Sequence, residues 1–117
     1  MKRLFKSFGF AINGLATVWR EQPNFRIHIV VFLVVLCAAW LANLNLTEWA
    51  IVLLCAGMVL AAELFNSVIE KIVDWVNPQW SEQAGKIKDM AAAAVLVVSI
   101  TSVLVGIIIF SKKLLLF

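Results

Sequence analysis

Four polar side chains share one face of an otherwise apolar helix that the sequence predicts between residues 63 and 74. They are Glu63, Asn66, Glu70 and Asp74. At about 100° per residue they fall within roughly 80° of one another, and the opposite face is apolar. Carboxylate and amide oxygens arranged in this way can take a proton from a hydroxyl group, hold Mg²⁺, or carry protons and cations. The pattern predicts a chemically active face.

This face lies at the end of a predicted membrane span. The run from Ile51 to Ala62 carries no charge and has most of the length of a span. If Trp49 marks one interface, Glu63 lies about 21 Å further on, inside a hydrocarbon layer about 30 Å thick, and Glu70 lies near the far boundary. A carboxylate at that depth costs about 2.5–3.5 kcal/mol to insert, so it should face protein or water and have a function. The alternative is a polar helix end that is capped by Lys71 and reaches water.

The composition predicts an all-α membrane protein. The chain has 117 residues, 63% of them hydrophobic, and a mean hydropathy of +0.98, which is more apolar than a soluble domain of this size. Three apolar stretches, near 27–42, 48–70 and 90–110, predict three transmembrane helices in a single domain over 1–117. We expect no cleaved signal peptide, because the first 26 residues lack a compact apolar core before a cleavage site.

The N-terminal arm predicts a helix that lies on the membrane surface. Between Lys2 and Arg20, apolar residues recur on one side of a helical wheel and charged residues on the other, which is typical of an interfacial helix. Pro23 interrupts the pattern, so this surface helix should cover about 1–22 and a new helix should begin after it. His28 follows, and the sequence leaves open whether it is a hydrogen-bonded anchor, a ligand or a proton carrier.

The basic residues predict the orientation of the chain. The arm and the second connection are rich in lysine and arginine, whereas the first connection, 43–48, has none. By the positive-inside rule, the N-terminus and the second connection face the cytoplasm. Lys112 and Lys113 then lie outside, against the rule.

On this topology the polar groups gather where lipid head groups meet the cytoplasm. Lys88 and Asp89, at the start of the third span, join the acids of the second span. Carboxylates for Mg²⁺ and a lysine for phosphate are the groups that phosphoryl transfer needs, and the deeper Glu63 could take a proton from a lipid hydroxyl. No glycine-rich nucleotide motif occurs. The residues alone leave three alternatives: a lipid kinase, a proton or cation carrier, and a purely structural subunit.

Two segments resemble a known family. They read Glu63-Leu-Phe-Asn66-Ser67-Val-Ile-Glu70-x-x-x-Asp74 and Gly85-Lys-Ile-Lys88-Asp89-Met90-Ala-Ala-Ala-Ala-Val95-Leu96, and the arm adds Arg3-x-x-Lys6-x-x-Gly9-Phe10-x-x-x-Gly14-Leu15 with Phe25-Arg26. Together they resemble the prokaryotic integral-membrane diacylglycerol kinases, a family that also includes undecaprenol kinases. The likeness covers nearly the whole chain.

The resemblance implies a lipid kinase that uses ATP and Mg²⁺ and phosphorylates a membrane lipid alcohol. It further implies a homotrimer with active sites shared between subunits, in the bacterial inner membrane, with the N-terminus and the active site on the cytoplasmic side. No nucleic-acid partner is expected. The implied roles are catalytic base and lipid contact for Glu63, lipid contact for Asn66, metal and ATP contact for Glu70, ATP contacts for Arg3, Lys88 and Asp89, and a supporting role for Asp74.

One position departs from the family pattern. Where the family has a metal-binding glutamate, three residues before Phe25, this chain has Gln22, and the acid stands one place earlier, at Glu21. Either Glu21 turns toward the metal, or Gln22 offers an uncharged oxygen. The resemblance places diacylglycerol first as the acceptor and undecaprenol second.

Overall fold

The computed structural model describes residues 1–115 and folds them into four α-helices. Leu116 and Phe117, the last residues of the predicted domain, lie outside the described part. The helices are α1 (Lys2–Glu21), α2 (Pro23–Leu41), α3 (Leu46–Val76) and α4 (Glu82–Leu115). Helices α2, α3 and α4 are each long and apolar enough to cross a membrane. This confirms the prediction of an all-helical chain with three candidate spans.

The break between α1 and α2 is a single extended residue. Gln22 has φ −117° and ψ 99°, and its N–H donates to the carbonyl oxygen of Val18 at 2.8 Å. Pro23 then opens α2, where its fixed φ suits the first helical position and its missing N–H leaves no helical hydrogen bond unmade. Helix α1 buries none of its residues. Its apolar side is therefore not covered by the rest of the described chain. Its position on the membrane surface stays a prediction.

Helices α3 and α4 extend beyond the predicted spans at the end where residues 77–81 join them. This end, which is predicted to face the cytoplasm, is called the inner end below. The second span was expected to end near residue 70 and the third to begin near 90, but α3 continues to Val76 and α4 begins at Glu82. Pro78 follows Asn77, whose backbone leaves the helical region at φ −139° and ψ 89°, as a residue before proline prefers. The hydroxyl oxygen of Ser81 accepts from the Ala84 N–H at 3.1 Å and caps α4. Both helices therefore continue past the predicted spans, α3 through the mixed segment 71–76 and α4 from the polar segment 82–89.

At the opposite end of the bundle, called the outer end below, residues 42–45 join α2 to α3 in a compact turn. Asn43 adopts a left-handed conformation with φ 55°, which asparagine tolerates better than most residues. Asn45 then caps α3: its Oδ1 accepts from the Glu48 N–H at 2.8 Å, and its own N–H donates to Glu48 Oε1 at 2.9 Å. An apolar cluster packs beneath this turn. It consists of Ala39, Leu44, Val52 and Ile109.

The structure gives Lys113 a partner at this outer end. Its Nζ lies 3.0 Å from Glu48 Oε1 and donates to the carbonyl oxygen of Asn43 at 3.4 Å. The Lys113 side chain is 20% exposed and the Glu48 side chain 13%, so the pair is largely shielded. Lys113 therefore connects the last turns of α4 to the connection between α2 and α3. This contact gives a structural role to a lysine that the positive-inside rule does not predict at this end.

We expect Lys113→Met to lower the melting temperature of the detergent-solubilised protein, because Glu48 and the Asn43 carbonyl both lose a charged donor. Lys112→Met is the matched control, since Lys112 is the exposed neighbour and should leave the melting temperature unchanged. Equal effects of the two substitutions would show that only the net charge of this end matters.

Candidate active site

The polar face of α3 is buried at its deep end and open at its inner end. Glu63 is 3% exposed, Asn66 6% and Ser67 2%, whereas Glu70 is half-buried and Asp74 exposed. The Ser67 hydroxyl donates to the Glu63 carbonyl oxygen at 2.9 Å. The predicted row of polar groups thus leads from a buried carboxylate to the surface.

Helix α2 covers Glu63 with His28, whose role the sequence left open. The imidazole Nε2 lies 3.7 Å from Glu63 Oε2, and the two side chains are 25% and 5% exposed. Sequence reasoning missed this pair. The signal available in the sequence was the distance of each residue from the predicted inner membrane boundary. His28 lies about 7.5 Å along α2 from Pro23, and Glu63 lies about 10.5 Å along α3 from Glu70. The two residues are therefore at comparable predicted depths.

The Asn66 side chain bonds to Glu70 and keeps one acceptor free within the described part of the chain. Its Nδ2 donates to Glu70 Oε1 at 3.4 Å. Its Oδ1 is buried and has no hydrogen-bond partner among residues 1–115. A buried acceptor without a donor is unfavourable, so this atom is suited to a hydroxyl or another donor of a bound molecule.

The two candidates for the second metal ligand lie on one cavity and differ in their partners. Glu21 and Gln22 both line a cavity of about 220 Å³, together with Ser67 and Lys71. Glu21 forms an ion pair with Lys71, which joins the end of α1 to α3. Which of the two oxygens would serve a metal stays a prediction.

The donor set fits Mg²⁺ that arrives with phosphate ligands. No lysine, arginine or histidine side chain pairs with Glu70 in the part of the chain described, and the same residues contain no group of three His, Cys, Asp or Glu side chains that could hold a metal. Mg²⁺ is commonly bound by one or two carboxylates together with substrate phosphates. A Glu70 carboxylate without a basic partner among residues 1–115 matches that pattern better than it matches a metal cage made only of protein.

A second group of polar residues lines a cavity between the inner ends of α3 and α4. Lys88 Nζ lies 2.5 Å from Asp74 Oδ1, and both side chains, with Asp89, line a cavity of about 330 Å³. Trp80 forms another wall, and its Nε1 would lie 3.6 Å from a Cβ placed on Gly85. Sequence reasoning did not select Trp80, although an aromatic residue five positions before Gly85 was a usable signal.

Arg3 forms no hydrogen bond or ion pair with these groups among residues 1–115. It lies near the start of α1, about 27 Å along the helix axis from Glu21, and Glu21 is the residue that pairs with Lys71. The structure therefore joins Glu63, Asn66, Glu70 and the Asp74–Lys88 pair along one side of α3, and leaves Arg3 apart.

Comparison with known proteins identifies the family of this chain. The sequence model of the family described as prokaryotic diacylglycerol kinase matches residues 9–110. The chain belongs to the prokaryotic diacylglycerol kinase family. This is a family of lipid kinases, so the prediction of a lipid kinase is confirmed.

Relatives in this family bear two different names. An undecaprenol kinase of Bacillus subtilis (strain 168) is 36% identical over 114 residues, which cover 97% of this chain and 93% of the relative. A diacylglycerol kinase of Helicobacter pylori (strain ATCC 700392 / 26695) is 38% identical, covering 82% of this chain and 75% of the relative. A diacylglycerol kinase of Escherichia coli (strain K12) is 32% identical, covering 87% and 84%. At these identities the family is established and the acceptor lipid is not.

Proposed function

We propose that this protein transfers the γ-phosphoryl group of ATP to the hydroxyl group of a membrane lipid, with diacylglycerol as the first acceptor and phosphatidic acid as its product. The observation that carries the proposal is the position of Glu63. Its carboxylate is buried inside a candidate membrane span, where a lipid hydroxyl can reach it, and the polar row on the same helix leads to the inner surface, where a nucleotide can bind.

Glu63 is the proposed general base. A buried carboxylate beside a lipid hydroxyl can take its proton as the oxygen attacks phosphorus. The Asn66 Oδ1, which has no partner in residues 1–115, is a second acceptor that can orient the hydroxyl before the proton moves. Glu63 and Asn66 thus make up the lipid side of the site.

Glu70 and the inner ends of α3 and α4 make up the nucleotide side. Glu70 and Gln22 would hold Mg²⁺, which neutralises charge on the transferring phosphates when bound. Lys88 and Asp89 line the adjacent cavity. Asp74 supports Lys88 through their 2.5 Å contact, and Lys88 exchanges that carboxylate for phosphate when the nucleotide enters.

The position of Arg3 supports an oligomer with shared sites. Because Arg3 lies about 27 Å from the residue that anchors α1 to α3, it meets a nucleotide at this site most simply from a neighbouring protomer. A homotrimer in the inner membrane, with its N-termini and sites on the cytoplasmic side, meets this requirement. The lysines and arginines around the inner connection support that orientation.

One observation favours undecaprenol as a second candidate acceptor. The Bacillus subtilis undecaprenol kinase aligns with 97% of this chain and with 93% of its own length, more of both chains than the Helicobacter pylori and Escherichia coli diacylglycerol kinases cover. Both acceptors end in a primary hydroxyl at the membrane interface, so the same Glu63 geometry serves either.

We expect the purified protein in mixed micelles with Mg²⁺ to transfer label from γ-labelled ATP to a lipid alcohol. Diacylglycerol and undecaprenol are offered separately, and the labelled lipids are separated and counted. Faster labelling of diacylglycerol supports the first acceptor, and the reverse ratio assigns the enzyme to undecaprenol. Label in neither lipid, from folded protein, would contradict the proposed function, and ion flux in liposomes without ATP would then favour a carrier.

We expect Glu63→Gln to lower the turnover number by at least about 10²-fold, because the amide cannot accept a proton. Nucleotide binding should persist, since the groups assigned to the nucleotide lie further along α3 and on α4. Glu82→Gln is the matched control, because Glu82 is an exposed glutamate whose partner is Lys86. Wild-type turnover in Glu63→Gln would remove Glu63 as the base.

We expect Glu70→Ala to raise the Mg²⁺ concentration needed for half-maximal activity by about 10- to 100-fold, the loss typical of a disturbed metal site. Glu82→Ala serves as the control for the loss of one carboxylate. Titration with Mg²⁺ at fixed ATP measures the effect. If the Mg²⁺ dependence of Glu70→Ala matches that of the wild type, Glu70 is not a metal ligand.

A further inference from the structure

The contact between His28 and Glu63 has a consequence for turnover under the proposed function. Glu63 receives a proton in every cycle and must lose it before the next one. Its side chain is only 5% exposed, whereas the His28 side chain, 3.7 Å away, is 25% exposed. Of the two groups, the imidazole is the better exposed and the one that can both accept and release a proton near neutral pH.

The surroundings of His28 leave Glu63 as its nearest acidic partner. On α3, the carboxylate of Glu63 and the thiol of Cys55 face it, the latter across a cavity of about 100 Å³. From α4 the same cavity is lined by Ser102, Val105 and Gly106, none of which titrates in the ordinary range. On its own helix, the exposed Arg26 stands about 3 Å nearer the inner end. His28 therefore lies between a buried carboxylate and the polar boundary.

We propose that His28 relays the proton of Glu63 to water after each phosphoryl transfer. The O–H bond of the lipid breaks, its proton passes to Glu63 Oε2, the lipid oxygen bonds to the γ-phosphorus, and ADP leaves with the electron pair of the broken P–O bond. The proton then passes from Oε2 to His28 Nε2, and a proton leaves the ring from Nδ1 to water. The carboxylate is restored, and exchange of the remaining ring proton with water returns the neutral imidazole to the tautomer whose Nε2 accepts. His28 acts through Glu63 and is a positioning residue that does not touch the reacting atoms.

The 3.7 Å separation is longer than a hydrogen bond. Contacts between catalytic groups are often long without substrate and shorten in the reactive complex. The competing explanation is a purely structural one, in which His28 only anchors α2 against α3. The two explanations differ in whether a free base can replace the side chain.

The test compares His28→Ala and His28→Gln with the wild type, using ATP and the preferred lipid alcohol in mixed micelles. We expect kcat to fall by about 10²-fold in both variants, with the KM for ATP unchanged, and added imidazole to restore turnover in His28→Ala. Val31→Ala is the control, because Val31 lines the same cavity without a titratable group and should keep wild-type kcat with no response to imidazole. Wild-type kcat in His28→Gln, or a loss in His28→Ala that imidazole does not relieve, would overturn the relay.

A second measurement does not depend on kinase activity. His28 is the only histidine in the chain, so ¹⁵N-histidine labelling reports on this side chain alone. We expect the ring ¹⁵N chemical shifts of the wild type to differ from those of Glu63→Gln at one fixed pH, because the carboxylate 3.7 Å from Nε2 is removed. Identical ring shifts in the two proteins would contradict the pair itself. Lipid labelling by the wild type that is lost in Glu63→Gln and complete in His28→Gln would keep the proposed function and overturn only the relay.

Discussion

A carboxylate on a membrane-spanning helix is unfavourable unless protein covers it, and in this chain α2 packs over Glu63. An uncovered charge inside a bilayer costs several kcal/mol. Helix α2 must therefore pass close to α3 at that level, where it places His28 opposite the carboxylate. The Pro23 break sets where α2 begins, and so sets which of its residues reaches this depth. Burial of one acid thus constrains the start of one helix and the packing of two.

The two ends of the bundle are held by different interactions. The contacts that stabilise the outer end do not involve the candidate site residues. The outer end holds the apolar cluster, the capped start of α3 and the pair between Lys113 and Glu48. At the inner end, the Asp74–Lys88 pair joins α3 and α4 beside a cavity that Asp89 and Trp80 also line. An exposed ion pair is less costly to break than a shielded one, so the inner end is the better suited of the two to a charged ligand.

The local sequence pattern was sufficient to predict the helices and the polar row on α3. Apolar runs and a 3.6-residue period can be recognised from neighbouring residues alone. An apolar run indicates the part of a helix that lipid can surround, and it does not indicate where the helix itself ends. Helix α3 therefore continues beyond its apolar run until the chain turns at Asn77, before Pro78. Helix α4 likewise begins before its apolar run, at the cap that Ser81 provides. The pairs His28–Glu63 and Glu21–Lys71 join different helices. They depend on how those helices are rotated about their axes, which no short stretch of sequence specifies.

The pair between Glu21 and Lys71 bears directly on the departure at Gln22. With Glu21 neutralised by Lys71, the proposed metal site keeps one carboxylate, Glu70, and an amide oxygen in place of a second charge. Such a site attracts bare Mg²⁺ less strongly than a pair of carboxylates does, because the charge of its ligands is smaller. In that proposed arrangement the phosphates of ATP would supply more of the ligands, so that metal and nucleotide would bind as a unit. Lys71 would then influence the proposed metal site without touching the metal, through its ion pair with Glu21.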